Sequence, residues 1–173
     1  MEFRKMRRSA QELDHRECLE MIRRATSGVL SVIGDNGYPY GIPMSFVYVD
    51  EPEGRFYFHC AMTGHKIDAI RACDKACFTI VDMDDVVADE FTTYYKSVVA
   101  FGRIRIIEDE EEKRSTIAIL TDKYSPDEAE EKKAGEINKK LPAFVMLELT
   151  VEHMTGKEAI ELVRKRKKFG GEK

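Results

Sequence analysis

The sequence predicts a mainly β, α+β fold: an antiparallel sheet or barrel with helices packed outside. Three observations lead there. Several segments alternate apolar and polar residues with the period of a strand. Their turns carry Gly, Asn and Pro. The helical segments interrupt the strands without the regular βα alternation of a doubly wound fold.

Taken in order, Ser9-Ala10-Gln11-Glu12 has capping-box spacing, and Leu13, Leu19, Ile22 and Ala25 share a helical face. The spacing predicts a first helix near residues 10–26. Gly28 to Ile33 is β-rich, and Asp35-Asn36-Gly37 supplies the residues of a tight turn. Tyr38 to Val49 reads as the returning strand. Pro39 and Pro43 remove ladder donors from it, so it is an edge strand, bulged or interrupted. After the turn Glu51-Pro52-Glu53-Gly54, Arg55 to Ala61 alternates Phe56, Phe58 and Cys60 against Tyr57, His59 and Ala61. A short helix is expected over Gly64 to Ala72, a strand over Ala76 to Asp82, and an acidic loop over Asp82 to Asp89.

Thr92 to Ser97 reads as a polar loop entering a long strand, Lys96 to Ile107. Val98, Ala100, Gly102, Ile104 and Ile106 form one face of that strand. Glu110 to Tyr124 has helical spacing through Ile117, Leu120 and Tyr124. Ser125-Pro126-Asp127-Glu128 combines an N-cap with Pro at the first position of a polar surface helix. Ala143, Val145, Leu147, Leu149 and Val151 alternate as a last strand. Thr155-Gly156-Lys157-Glu158 has capping-box spacing before a final helix, whose basic end, Arg164 to Lys168, is expected to fray.

The chain has 173 residues, 43% of them hydrophobic and 35% charged. That fits one domain over 1–173 and excludes a chain disordered by composition. With Lys+Arg 28 against Asp+Glu 32, the net charge is −4, without the basic excess of a nucleic-acid-coating protein. No apolar run has membrane-span length, and no secretory signal follows the basic N-terminus. These features predict a cytoplasmic protein with no membrane and no nucleic-acid partner. Cys18, Cys60, Cys73 and Cys77 lack zinc spacing and read as free thiols rather than metal ligands.

Three segments concentrate chemistry. In Phe56 to Lys66 a strand ends, a Gly-containing loop turns, and a helix begins at Gly64-His65-Lys66. A helix start with two basic residues suits a phosphate monoester, although such a pair is also common on plain surface. His59 lies on the Tyr57 face of the strand, either as a hydrogen-bonded core residue or as an acid/base group. Tyr38 to Met44 is the proline-bearing strand, whose free backbone groups could face a planar ligand. Thr92 to Ser97 supplies hydroxyls and one cation.

In this order, Gly28 to Val32, Gly37 to Pro43, Tyr57 to His59, Gly64 to Lys66, Tyr95 to Gly102 and Thr155 to Lys157 resemble the pyridoxamine 5′-phosphate oxidase-like flavoproteins. The similarity is strongest to their 5-nitroimidazole resistance (Nim) group and spans about residues 6–166. The resemblance implies an FMN-binding split barrel of Greek-key topology, working as a homodimer with FMN at the subunit interface. It implies FMN phosphate held at Gly64, His65 and Lys66, and the flavin ring against Ile42, Pro43, Met44 and Ser45. The strand His59, Cys60 and Ala61 would line the cofactor, Tyr95 and Ser97 would close the site from the second subunit, and His59 would act on the substrate. The implied activity is an FMN-dependent oxidoreductase, nitroreductase-like toward a small molecule such as a 5-nitroimidazole. The alternative is a non-catalytic flavin- or haem-binding module.

Overall fold

The computed structural model describes residues 2–50 and 52–169, so Met1, Glu51 and Gly170–Lys173 lie outside the described residues, as does the side chain of Phe169. Eight strands make one antiparallel sheet: β1 (Glu12–Leu13), β2 (Ser27–Ile33), β3 (Pro39–Ser45), β4 (Val47–Val49), β5 (Arg55–Ala61), β6 (Lys75–Val87), β7 (Thr92–Ile107) and β8 (Phe144–Glu158). Among the described residues five α-helices flank it: α1 (His15–Arg24), α2 (His65–Ala72), α3 (Glu110–Tyr124), α4 (Glu130–Lys140) and α5 (Ile160–Phe169). The hydrogen-bonded path runs β3-β2-β6-β7-β8-β5-β4, with β1 on β8. Its two ends, β3 and β4, are consecutive in the chain and separated by Phe46 alone. The chain itself therefore forms the seam at which the sheet curls into a barrel.

Phe46 is fully buried at that seam. Its N–H donates to the Tyr124 hydroxyl (2.9 Å), which donates in turn to the Thr26 carbonyl (2.5 Å). Its ring meets Phe78 at 5.0 Å, and Phe78 also touches Phe56 and Phe58. These rings fill the barrel with Leu30, Ile80, Val98, Ile104, Leu147 and Leu149, and Met21 of α1 and Ile67 of α2 join the same core. Outside the barrel, α3 lays Ile117 and Leu120 against Val47, Tyr57 and Met146. Strand β8 is therefore covered on both faces, and its buried Glu148 is held by Arg105 at 2.9 and 3.1 Å.

Two bulges bend the long strands. One follows Phe101, where Gly102 pairs with Val151 and Glu152 is the extra residue. A Cβ on Gly102 would lie 1.9 Å from the Thr150 carbonyl oxygen, so only glycine fits. The other lies between Val81 and Met83; the bulged Asp82 reaches Arg24 of α1 at 2.7 Å.

The structure corrects several local expectations. The first helix starts at His15, capped by a reciprocal Asp14–Glu17 box, not by Ser9. The buried Gln11 amide bonds the Glu158 carbonyl (2.8 Å) and the Tyr95 hydroxyl (3.2 Å), which directs Glu12–Leu13 onto β8. Residues 82–87 and 92–97 are strand rather than loop. They pair with each other as a ribbon extending the β6–β7 hairpin, an arrangement in which backbone pairing outweighs acidic composition. The helix expected from Ser125 begins at Glu130 instead, because residues 125–129 make a separate turn. Thr155 to Glu158 continue β8 against β7 rather than capping a helix. The basic segment 164–168 lies within α5, and Arg166 pairs with Glu17 and the buried Glu158. The Asn36–Gly37 turn does carry positive φ at both residues. Among the described residues, no helix is long and apolar enough to cross a membrane.

Candidate functional site

Strand β3 ends the hydrogen-bonded path and, among the described residues, pairs only with β2, so its other backbone edge has no strand partner there. Along it, Ile42 is half-buried, Pro43 and Ser45 are exposed, and Met44 points into the core. Strand β5 pairs with β8 as far as Ala61 and then turns through Gly64, whose φ of +119° favours glycine.

Helix α2 begins immediately after that glycine, and no side chain caps its N-terminus. Its first two residues both reach toward β3. The His65 ring stacks on Tyr40 at 4.3 Å, with Nε2 3.5 Å from an Asp35 carboxylate oxygen. Lys66 Nζ lies 3.6 Å from the Met44 sulfur. Among the described residues, Lys66 makes no salt bridge within 4.0 Å. An uncapped helix start beside an unneutralised, half-buried ammonium is a fit for an anionic group such as a cofactor phosphate.

His59 keeps solvent access at the end of β5, with its ring edge-on to Phe144 at 6.2 Å. The surrounding protein, and secondarily the Lys66 charge, hold its pKa below the ordinary imidazole value. Burial pushes the neighbouring Cys60 thiol up, with Lys66 acting against that shift. All four cysteines are free; Cys73 and Cys77 are only half-buried.

One chain therefore brings together residues 42–45, 59–61 and 64–66. It does not bring Tyr95 and Ser97 to them. Ser97 pairs with Lys157, while His59 pairs with Met146, eleven residues earlier on β8. Across the sheet, Val99, two residues from Ser97, lies three strands, about 14 Å, from Pro43. Tyr95 is occupied by Gln11 and by the Ala159 N–H.

Two parts of the site were missed in the sequence. Tyr40 was visible only as one aromatic in a proline-rich strand; its stacking on His65 depends on the β3–α2 approach. The second part is a cavity of about 440 Å³ between α3, α4 and the end of β5, bordered by Ser45 and His59. Its lining residues Ile117, Leu120 and Tyr124 read in the sequence as an ordinary core stripe.

The outer sheet surface near β3 is uncharged over two rows. Pro43, Val29, Thr79 and Val99 lie in register, followed by Gly41, Ser31, Cys77 and Phe101. Val29 and Phe101 remain exposed there.

Comparison with known proteins places this architecture. The sequence model described as pyridoxamine 5′-phosphate oxidase matches residues 14–158. No protein of curated function matches the sequence. Among solved structures, one similar fold is a protein provisionally assigned to 5-nitroimidazole antibiotic resistance from Bacteroides thetaiotaomicron. It is 23% identical with a TM-score of 0.71, covering 85% of this chain and 86% of that one. A flavocytochrome from Azotobacter vinelandii is 20% identical with a TM-score of 0.70, covering 90% and 72%. An FAD- and heme-binding protein from Mycobacterium smegmatis is 21% identical with a TM-score of 0.70, covering 86% and 73%. At these identities the structures share the split-barrel fold with this chain.

Proposed function

The chain belongs to the pyridoxamine 5′-phosphate oxidase family, and from that premise we propose that it is a homodimeric FMN-dependent oxidoreductase that reduces a small molecule such as a 5-nitroimidazole. The observation that carries this reading is Lys66: an ammonium without a carboxylate partner among the described residues, at the uncapped start of α2, in reach of the strand that carries His59. Lys66, with Gly64 and His65, holds the cofactor phosphate. The free edge of β3, at Ile42 to Ser45, and the strand His59 to Ala61 border the rest.

A bound flavin supplies the electron pair that reduction needs. The chain's own residues position the substrate and manage its proton. Burial, and secondarily the Lys66 charge, lower the pKa of His59 and so favour its neutral imidazole. In that state it orients a substrate by hydrogen bonding, and it becomes a proton donor only as pH falls through its lowered pKa.

The homodimer is supported by two features. The uncharged rows beside β3 offer a surface for a second copy. Tyr95 and Ser97, on the strand three places from β3 across that surface, would serve the partner's site.

The deciding experiment loads the chain with FMN, reduces it without oxygen, and adds a 5-nitroimidazole. The expected result is reoxidation much faster than that of free reduced FMN, slowed at least tenfold by His59→Asn with FMN still bound. Reoxidation no faster than that of free flavin identifies a non-catalytic flavin- or haem-binding module instead.

A further inference from the structure

The cavity beside His59 differs in charge from the Lys66 site. Its walls are apolar and aromatic: Ile117 and Leu120 from α3, Ile137 from α4, and the Phe144 ring at the start of β8. The two lysines that line it are each paired with a carboxylate. Lys133 Nζ, though nearly buried, bonds Asp122 at 2.8 Å and Glu130 at 2.9 Å. Lys140 Nζ meets Glu136 at 2.9 Å. An anionic ligand therefore finds no unpaired ammonium among these residues, and it meets the carboxylates of Asp122, Glu130 and Glu136 at the solvent-facing rim. An uncharged ring loses nothing by entering and gains contact with the apolar walls. Ser45 and His59 on the sheet side, with Thr121 and Ser125 on the helix side, are the uncharged polar groups that can meet a hydrogen-bonding head.

We propose that this cavity, roofed by α3 and α4, is a binding pocket for an uncharged, largely apolar aromatic molecule and that it rejects phosphorylated or carboxylated ones. The volume of about 440 Å³ is within the range of small-molecule pockets. Ser45 and His59 belong both to this pocket and to the residues assigned to the cofactor, so the two ligands meet there. Calling the occupant a substrate rests on the oxidoreductase reading; the pocket itself does not.

Equilibrium dialysis of the intact chain tests it, with nitrobenzene as the neutral probe and 4-nitrobenzoate as its anionic counterpart. Nitrobenzene is expected to bind at least tenfold more tightly. Ile137→Trp, at a half-buried wall position, should weaken nitrobenzene at least tenfold while leaving FMN affinity unchanged. Thr121→Phe obstructs the same space from α3 and serves if the first variant does not fold. Equal binding of the two probes, or nitrobenzene binding unchanged in a folded filled variant, overturns the proposal. Loss of FMN binding with the probe pattern intact would remove the oxidoreductase reading and leave the pocket standing.

Discussion

Replacing Lys66 by methionine removes the ammonium and keeps most of the side-chain volume. The native ammonium lies 3.6 Å from the Met44 sulfur and makes no ion pair among the described residues. The folded chain therefore loses no salt bridge, and stability should change by no more than about 0.5 kcal/mol. A bound phosphate loses one charge-assisted hydrogen bond, about 1.5–3 kcal/mol. That is roughly a 10- to 150-fold rise in Kd for FMN. Riboflavin, which lacks the phosphate, should lose little. Fluorescence titration of both ligands against native and variant protein reads the difference directly. A second readout is internal: one of the two influences that lower the His59 pKa disappears, so its imidazole should titrate closer to 6.5 by NMR. Burial remains, so the return is incomplete. Equal weakening of FMN and riboflavin, or an unmoved His59 titration, refutes the assignment of Lys66.

Other outcomes follow from the packing. Gly102→Ala forces a Cβ against the Thr150 carbonyl at the β7 bulge and should cost about 3 kcal/mol or more, a Tm fall of roughly 6–12 °C; an unchanged Tm contradicts the bulge geometry. Tyr124→Phe leaves the Phe46 N–H and the Thr26 carbonyl without their hydroxyl, so urea unfolding should show a loss of about 1–3 kcal/mol. The exposed Tyr38→Phe is the control and should change little. Burial over the Phe46 ring lowers the Lys123 pKa to about 8. The unfolded chain then holds more protons than the folded one between about pH 8 and 10.5, so Lys123 makes stability rise with pH in that window. Lys123→Met should abolish that rise, measured as the native-minus-variant difference in denaturant midpoint; a flat difference contradicts it.

Most of the fold was legible because strand alternation is local information. β2, β5 and α3 lie within about one residue of where periodicity puts them. The errors share a cause, which is pairing between distant segments. Acidic residues 82–87 looked like loop because their partner, Thr92 to Lys96, is chosen by the hairpin and not by composition. The capping spacings at Ser9 and Thr155 were overridden by the same contact, in which Glu12–Leu13 lies on β8. The helix–loop start at Gly64-His65-Lys66 was readable as a motif, because glycine with positive φ and two basic residues are adjacent in sequence. The Tyr40–His65 stack and the α3–α4 cavity were not, since each joins elements that only the closed barrel brings together.

The central claim is that Lys66 and its neighbours hold a flavin phosphate. Titration of purified, cofactor-stripped protein with FMN, followed by the flavin absorption spectrum after dialysis, tests it most directly. One FMN retained per chain and a yellow protein are the expected result. A colourless protein that retains neither FMN nor FAD would contradict it.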